Sequence, residues 1–566
     1  MMPLEIERRL ATILGWGCLL VTLIVTDRIS ADPVNVSKMM ILSVVAGACL
    51  AILLGATKDI YKNFKVPLAL NFLFFCACFL SIVLSKSPWE KGFFGTYGRN
   101  TGLLTYLGLS IVFISGFIFT RINSYIRVIR LFFMAGVINL VYCLFAINGR
   151  DIFTWINPYG KALGTFGNPN FISSFMGIFI TALFATYFVK GIPISYRIGI
   201  ISLIGMSLYT INASGSQQGG VVAAGGIVVV LFFYLRSRLR NTYLLATYSI
   251  TVFSSGLLAI LGMLQIGPLS RLLYKQSVSY RGEYWQTGLN MAFDNPIFGV
   301  GLDSYGTFYR AYRDKSATIL PGLDTISDAA HNIFIDVFAS TGYIGLFTYL
   351  GLIVFILIKS FAYIRKSRNF DPVFVILFSC WLAYQAQCVI SINQIGVAVW
   401  GWAFGGLLIG YTNSKLDAKS NDQQIDIGMI KSNMAKQKTS EVSASLALST
   451  FVLTLVFFAL SAPSFYADAK LRQAMSSGSV EVIYAAATQF PLDSNRINFL
   501  ASEISRNGIN QQSVNLVRIG LNKFPHDYGL LRSQFQLSIP NSEEQKVIGR
   551  KLHVSDPFNP AYFKYK

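Results

Sequence analysis

The chain has three histidines, and one of them, His331, stands where it could do acid–base chemistry. It follows Ser327-Asp328-Ala329-Ala330 and opens a long apolar run. Ser327 or Asp328 can cap a helix there, which predicts His331 in the first helical turn. The positive end of a helix disfavours imidazolium and attracts anions, so a neutral base would lie beside an anion site. Transfer from a phosphorylated donor onto a hydroxyl requires such a pair, although a histidine that only satisfies local hydrogen bonds is the alternative.

A second cluster begins an amphipathic segment at Ser279-Tyr280-Arg281-Gly282-Glu283-Tyr284-Trp285-Gln286, and Asn295-Pro296 stops that segment. Arg281 and Trp285 are four residues apart, so they share one helix face. An arginine at a membrane interface can bind a diphosphate through two hydrogen bonds. Arg310 and Arg313 add positive charge on a second helix-like stretch. The alternative for these arginines is surface ion pairing, with Glu283 as one partner.

Three polar or glycine-rich loops lie at the ends of apolar runs. One contains Arg99, one reads Gly164-Thr165-Phe166-Gly167-Asn168-Pro169-Asn170, and the third runs from Ser214 to Gly220. Because all three fall on the same side of the predicted membrane, we expect them to surround a common cavity. Simple turn chemistry is the alternative for each loop taken alone, and Gly299-Val300-Gly301 indicates a turn rather than a nucleotide-binding fingerprint.

The sequence predicts neither a metal site nor a cofactor. His331 has no histidine or cysteine partner nearby, and the seven cysteines lie in apolar runs without the spacing of a zinc site. These cysteines do not imply a disulfide framework either.

The elements that must position these residues are membrane spans. Of the 566 residues, 53% are hydrophobic and only 13% are charged, and the mean hydropathy is +0.51. A soluble domain carries about 25% charged residues, so the composition excludes a soluble globular enzyme and a disordered chain. Apolar runs of roughly 17–25 residues are typical of transmembrane helices. The predicted spans are about thirteen in number and lie at 10–26, 38–56, 66–84, 102–120, 131–147, 170–189, 198–212, 219–235, 243–263, 332–358, 373–390, 394–411 and 446–463.

The positions of the basic residues predict the orientation. With the N-terminus inside, the inside connections hold 22 of the 47 lysines and arginines, as the positive-inside rule requires. The net charge of +20 is therefore largely a matter of topology, and the pattern does not favour nucleic-acid binding. The division that follows is nine spans in 1–263, a long outside loop at 264–330, three spans in 331–411, an inside linker at 412–445, a thirteenth span at 446–464 and an outside tail at 465–566.

The tail contains an internal repeat. Phe490-Pro491-Leu492-Asp493 recurs as Phe524-Pro525-His526-Asp527, a spacing of 34 residues, and helical patterns fill the interval. This period is typical of tetratricopeptide-like helical hairpins, and the alternative is two coincidental helix stops. The sequence therefore predicts an all-α protein, a polytopic membrane domain followed by a soluble helical repeat.

Taken together, the motifs resemble the O-antigen ligase/polymerase superfamily of membrane glycosyltransferases. The resemblance covers about 95–350 and follows the family's order. The residues that carry it are Arg99 with Gly102-Leu103-Leu104, the 164–170 motif, Arg281 to Trp285, Asn295-Pro296 with Gly299-Val300-Gly301, and His331-Asn332 followed by Gly342 and Gly345.

The resemblance implies a GT-C-like helical fold that transfers glycan from an undecaprenyl-diphosphate carrier in a metal-independent, inverting reaction. The acceptor would be a lipid-linked sugar, a growing polysaccharide or a protein hydroxyl at the outer face of a bacterial inner membrane. His331 matches the expected base, and arginines such as Arg281 hold the diphosphate. The remaining candidates are Arg99, Gln218, Arg310 and Arg313 for the diphosphate, with Glu283, Tyr284, Trp285, Asn168, Asn170 and Asn332 as substrate-binding or supporting residues.

One position departs from the family pattern. Many members carry Ser-Arg-Gly between spans seven and eight, where this chain has Ser216-Gln217-Gln218-Gly219. Glutamine can donate hydrogen bonds to a phosphate but brings no charge, which leaves the ligase subclass open. Two other functions remain open as well: a transporter or flippase of lipid-linked sugars, and a scaffold whose tail recruits polysaccharide-assembly proteins.

Overall fold

The computed structural model describes residues 3–155, 157–274, 276–420, 444–506, 508 and 510–565, and these form α-helices and short 3₁₀ turns without a strand. Eleven helices in this part of the chain are long and apolar enough to cross a membrane. The prediction of an all-α polytopic membrane protein is confirmed.

The first half of the chain supplies eleven helices. They are α1 (Leu4–Leu23), α2 (Asn35–Gly55), α3 (Thr57–Asn63), α4 (Lys65–Leu84), α5 (Trp89–Phe94), α6 (Leu103–Ser115), α7 (Ile122–Ile147), α8 (Pro169–Tyr187), α9 (Ile194–Ser214), α10 (Gln218–Arg238) and α11 (Thr242–Met263).

The second half supplies twelve more. They are α12 (Ser270–Leu273), α13 (Gln276–Asp294), α14 (Tyr305–Tyr312), α15 (Ile333–Lys366), α16 (Pro372–Ile390), α17 (Ile395–Ser420), α18 (Ala444–Ser477), α19 (Val480–Ala487), α20 (Ser494–Ile504), α21 (Gln511–Lys523), α22 (Tyr528–Leu537) and α23 (Glu543–Ser555).

Each of the thirteen predicted spans falls on a helix. The two outside the set of eleven are α1, which carries Glu5, Glu7, Arg8 and Arg9 near its start, and α6, which is only 13 residues long. The predicted linker at 412–445 is helical at its beginning because α17 runs on to Ser420, whereas 421–443 lie outside the described residues. The helix that carries the last predicted span, α18, continues beyond residue 464 through Pro463 to Ser477.

Helix α17 is the centre of the bundle. Its residues from Ile395 to Thr412 are all buried, and it packs against α1, α6, α15 and α16. Trp400 on this helix packs its ring against Phe132 and donates its indole N–H to the Thr22 hydroxyl, 2.7 Å away. A buried indole needs such a partner. Helix α11 is almost wholly exposed, as expected for a helix that faces lipid.

The tail packs around its own small core, formed by residues such as Leu471, Ile483, Ile497 and Leu516. The 34-residue repeat falls on two equivalent helix starts. The carboxylate of Asp493 caps α20 by accepting the Arg496 N–H at 2.8 Å, and that of Asp527 caps α22 by accepting the Leu530 N–H at 3.0 Å. A short polar side chain before a helix satisfies an otherwise unpaired N–H, so the repeated aspartates mark structurally equivalent positions.

Candidate active site

His331 lies just before α15 and not in its first turn. Asn332 is the cap, because its side-chain oxygen accepts the N–H groups of Phe334 and Ile335 at 3.0 and 3.2 Å. The expectation that Ser327 or Asp328 caps this helix is therefore wrong. His331 has a φ of 55°, a left-handed conformation that only a few per cent of non-glycine residues adopt. The His331 side chain lines a cavity together with residues of several loops.

Neither ring nitrogen of His331 has a hydrogen-bond partner among the described residues. The ring of Tyr284 stacks on the imidazole, with centroids 5.5 Å apart and planes 29° apart. Burial and then the positive charges of Arg281 and Arg99 lower the pKa of His331 from 6.5 to about 4. Both effects disfavour imidazolium, so His331 is neutral at pH 7 and can accept a proton.

Helix α13 brings Arg281 and Tyr284 to the histidine. Asn295-Pro296 ends this helix as predicted. Arg281 makes no ion pair and no hydrogen bond within the described part of the chain, and burial lowers its pKa. A partly buried guanidinium without a carboxylate partner is a strong candidate for binding an anion.

The other two candidates on α13 point elsewhere. The carboxylate of Glu283 accepts the Ser316 hydroxyl at 2.8 Å, within the long loop. Trp285 packs into a small apolar cluster with Met291 and Tyr305. Both contacts pack the long loop against α13.

Arg99 holds the histidine turn from the opposite side. One guanidinium nitrogen donates to the backbone carbonyl of Asp328, and another lies 3.8 Å from the Asp303 carboxylate. Burial lowers the pKa of Arg99, but the carboxylates of Asp303, Asp336 and Asp328 more than offset this, so the net shift is upward. Arg99 is thus a permanent cation whose charge is already partnered.

Two carboxylates that sequence reasoning missed complete this support. Asp336, one turn into α15, accepts the Ala330 N–H at 2.7 Å and fixes the residue before His331. Asp303 accepts the Thr96 N–H at 2.7 Å and the Thr101 hydroxyl at 3.1 Å, so it ties the Arg99 loop to the long loop. Two features of the sequence could have identified them: Asp336 is an acid inside an otherwise apolar run, and Asp303 directly follows Gly301-Leu302.

A glycine pair joins the loop after α13 to α15. The N–H of Val300 donates to the Ala339 carbonyl at 2.8 Å, and the N–H of Tyr343 donates to the Pro296 carbonyl at 2.7 Å. Helix α15 is broken at Gly342, whose φ is 67°, and a Cβ there would lie 2.4 Å from the Ile297 carbonyl carbon and oxygen. A Cβ at Gly299 would lie 2.3 Å from the Ser340 carbonyl carbon. The backbones approach this closely only because both positions are glycine.

His331 lines a cavity of about 630 Å³. It is surrounded by the loops that precede α2, α6 and α8 and by the C-terminal end of α18, which contributes Arg472 and Met475. Its lining includes Arg99, Tyr159, Asn168, Tyr284, Asp328 and His331. Asn168 caps α8 by accepting the Asn170 N–H at 2.9 Å, which leaves its amide at the cavity. Two of the three predicted loops therefore meet at one cavity.

The remaining candidates lie away from it. Gln218 is buried at the start of α10, and its side-chain amide has no hydrogen-bond partner within the described ranges. The N–H of the next residue, Gly219, donates to the Ser173 hydroxyl. Arg310 and Arg313 are buried against the Asp556 carboxylate, at 2.9 and 2.7 Å. The structure does not bring these two arginines to His331; both bind one tail carboxylate that lies 243 residues or more along the chain.

Among the described residues, no group of three or more histidine, cysteine, aspartate or glutamate side chains is placed to hold a metal ion. The positive charge at the cavity comes from Arg99 and Arg472, which line it, and Arg281 adds positive charge near His331.

Residues 201–350 match a protein-family model described as O-Antigen ligase. The matched segment runs from α9 to the middle of α15, so it contains Gln218, Arg281 and His331. This match supports the O-antigen ligase superfamily and confirms the resemblance inferred from the motifs. A comparison with curated proteins finds no match.

Proposed function

We propose that this chain, whose residues 201–350 match an O-antigen ligase family model, transfers or polymerises glycan from an undecaprenyl-diphosphate-linked donor. The acceptor is a sugar or protein hydroxyl at the outer face of the bacterial inner membrane. The observation that carries the proposal is a neutral His331 at a polar cavity, with no hydrogen-bond partner in the described part of the chain. Arg281, which has no partner there either, lies close enough to lower the pKa of His331. A base and an anion-binding cation side by side suit transfer from a phosphorylated donor.

In the proposed reaction, His331 takes the proton of the acceptor hydroxyl. The hydroxyl oxygen attacks the anomeric carbon of the donor sugar as the bond from that carbon to the diphosphate oxygen breaks. The electron pair of that bond leaves with the undecaprenyl diphosphate. Attack opposite the leaving group inverts the anomeric centre.

Arg281 stabilises the leaving diphosphate in this scheme. Negative charge on the diphosphate grows as the glycosyl bond breaks, so a fixed cation interacts more strongly with the transition state than with the bound donor. A guanidinium can supply this charge without a metal ion. Arg99 stabilises the diphosphate only through its charge at longer range. Its guanidinium already donates a hydrogen bond to the Asp328 carbonyl and is paired with the Asp303 carboxylate.

The far side of the cavity suits the acceptor. Trp155, Tyr159 and Asn168 line it, and the Asn168 amide lies 3.3 Å from the Tyr159 hydroxyl. Aromatic faces with polar edges can pack on sugar rings while accepting and donating hydrogen bonds. The tail, which packs on the same end of the bundle, remains a proposed binding surface for polysaccharide-assembly proteins.

The test is transfer by the purified protein in detergent, supplied with undecaprenyl-diphosphate-linked oligosaccharide and assayed with and without EDTA. The proposal expects longer glycan or conjugate together with released undecaprenyl diphosphate, unchanged by EDTA. If no product forms but the same protein moves the lipid-linked oligosaccharide across a proteoliposome membrane, the chain is a transporter. If neither occurs, the chain is a scaffold.

A further inference from the structure

The tail reaches into the long loop through one buried carboxylate. Asp556, at the end of α23, is completely buried, and each of its oxygens binds a different arginine of the loop. Arg313 is 1% exposed and Arg310 is 4% exposed, so the three side chains form an ion-pair cluster shielded from water. Asn559 adds a hydrogen bond from its amide to Asp556 at 3.1 Å.

The same two arginines hold the chain that leads to His331. Arg310 donates to the carbonyls of Leu323 and Asp324, at 2.9 and 3.0 Å, and Arg313 donates to the Leu323 carbonyl at 2.9 Å. From Asp324 the chain runs directly to Asp328, which Arg99 binds, and then to His331. The segment 323–331 is therefore fixed by arginines at both ends.

Other contacts seat the tail beside this segment. The Arg310 guanidinium lies over the ring of Tyr528, 4.4 Å from its centroid. The rings of Phe308 and His526 are 6.2 Å apart, and Lys523 pairs with Glu90 on α5 at 2.7 Å. Tyr528 and His526 belong to the second repeat of the tail, so the repeat itself forms the docking surface.

We infer that the tail is a working part of the active site, and that Asp556 is a positioning residue which acts through Arg310 and Arg313 to hold the segment carrying His331. This inference rests on the proposed function for the role of His331, but the contact it describes does not. Two buried guanidinium groups need a counter-charge, and Asp556 is the carboxylate that supplies it within the described part of the chain. Without Asp556 the arginines must turn toward water, and their hydrogen bonds to Leu323 and Asp324 are lost.

The test compares Asp556→Asn with Glu543→Gln in the full-length protein. Both changes turn an acid into its amide near α23, but Glu543 is exposed and its ion pair is with Lys546 in the same helix. Two measurements are made: transfer kinetics with undecaprenyl-diphosphate-linked oligosaccharide, and the rate of tryptic cleavage after the exposed Lys315 in the loop.

For Asp556→Asn we expect kcat to fall about tenfold or more, with the donor KM within about twofold, because a misplaced base slows chemistry more than binding. Cleavage after Lys315 should accelerate several-fold, since local opening exposes the loop. Glu543→Gln should behave as the wild type in both measurements. A merely structural loss of the tail would instead lower the thermal midpoint of the whole protein without changing kcat per folded molecule.

Wild-type kcat and cleavage rate in a folded Asp556→Asn variant would overturn the inference. If that variant does not fold, Arg310→Lys replaces it: lysine keeps the charge against Asp556 but cannot bind both carbonyls, so kcat should still fall and Lys315 should still be cleaved faster. If the wild type shows no transfer, the proposed function fails, while the cleavage rates still decide whether Asp556 holds the segment.

Discussion

The ring of Tyr284 stacks on the imidazole of His331, 5.5 Å between centroids, and this contact joins the long loop to the start of a membrane span. Arg281 lies one turn before Tyr284 on the same helix, so the stack fixes the distance from the cation to the base. The two residues that the proposed reaction needs most are therefore positioned by a single helix, α13, against a single turn.

Replacing Arg281 tests the diphosphate site. Arg281→Ala should weaken donor binding and lower turnover by about 10²–10³-fold, since it removes a donor aimed at developing charge. Arg281→Lys should recover only part of each, because lysine supplies charge without the two-pronged geometry. Competition binding with undecaprenyl diphosphate and the transfer rate measure both effects. Arg271→Ala, an exposed arginine in the same loop, is the control. Wild-type affinity in Arg281→Ala would place the diphosphate elsewhere.

The pH dependence of transfer follows from the low pKa of His331. Because the folded-state pKa is about 4, kcat/KM should stay constant from pH 8 to about 5 and fall only below that. The diphosphate of a bound donor favours imidazolium, so the acidic limb of kcat should lie at higher pH than that of kcat/KM. An acidic limb of kcat/KM centred near 6.5 would show that His331 is not buried beside Arg281 and Arg99 in the active protein.

The same shift affects stability. His331 binds a proton more tightly in the unfolded chain, at its usual pKa of 6.5, than in the fold. The contribution of neutral His331 to the free energy of unfolding is therefore fully present above about pH 6.5 and is lost as the pH falls toward 4.

The break in α15 predicts a sensitive glycine. Gly342→Ala should destabilise the protein by roughly 2–4 kcal/mol, because the backbone is left-handed there and the new Cβ meets the Ile297 carbonyl at 2.4 Å. Gly225→Ala is the matched control, since a Cβ there meets nothing within 4 Å. Thermal unfolding in detergent compares the two. Equal melting temperatures would mean that the contact between 296–301 and 339–343 does not form.

The topology can be tested by labelling. The contact between Arg313 and Asp556 puts the long loop and the tail at the same end of the bundle, and the basic residues place that end outside. Ser316→Cys and Ser476→Cys should therefore react with an impermeant thiol reagent in spheroplasts, whereas Asn63→Cys should react only after lysis. The seven native cysteines are buried or partly buried, so the background is low. Labelling of only one of the two outside positions would contradict the predicted span count.

The sequence predicted the long apolar helices and the end of α13 because both depend on local pattern. Long apolar runs favour membrane-spanning helices, and Asn295-Pro296 favours a helix end. The partners of Arg310 and Arg313 could not be predicted, because charge alone does not reveal a carboxylate at Asp556 on a separate helix. The cap of α15 was also undecidable from sequence, since Ser327, Asp328 and Asn332 are all good caps and only the backbone turn at His331 selects Asn332. Asp303 and Asp336 were missed because their partners, Thr96, Thr101 and Arg99 for Asp303 and the Ala330 N–H for Asp336, are brought to them only by the fold.

The most direct measurement is the single-turnover transfer rate of His331→Ala with donor bound, beside the wild type and His331→Gln. Loss of a general base costs typically 10²–10⁴-fold and leaves binding unaffected. We expect both variants to bind undecaprenyl diphosphate and melt like the wild type while transferring at least about a hundredfold more slowly. Glutamine keeps a hydrogen-bonding side chain but takes no proton at neutral pH. Transfer by His331→Ala within about threefold of the wild-type rate would contradict the assignment of His331 as the base.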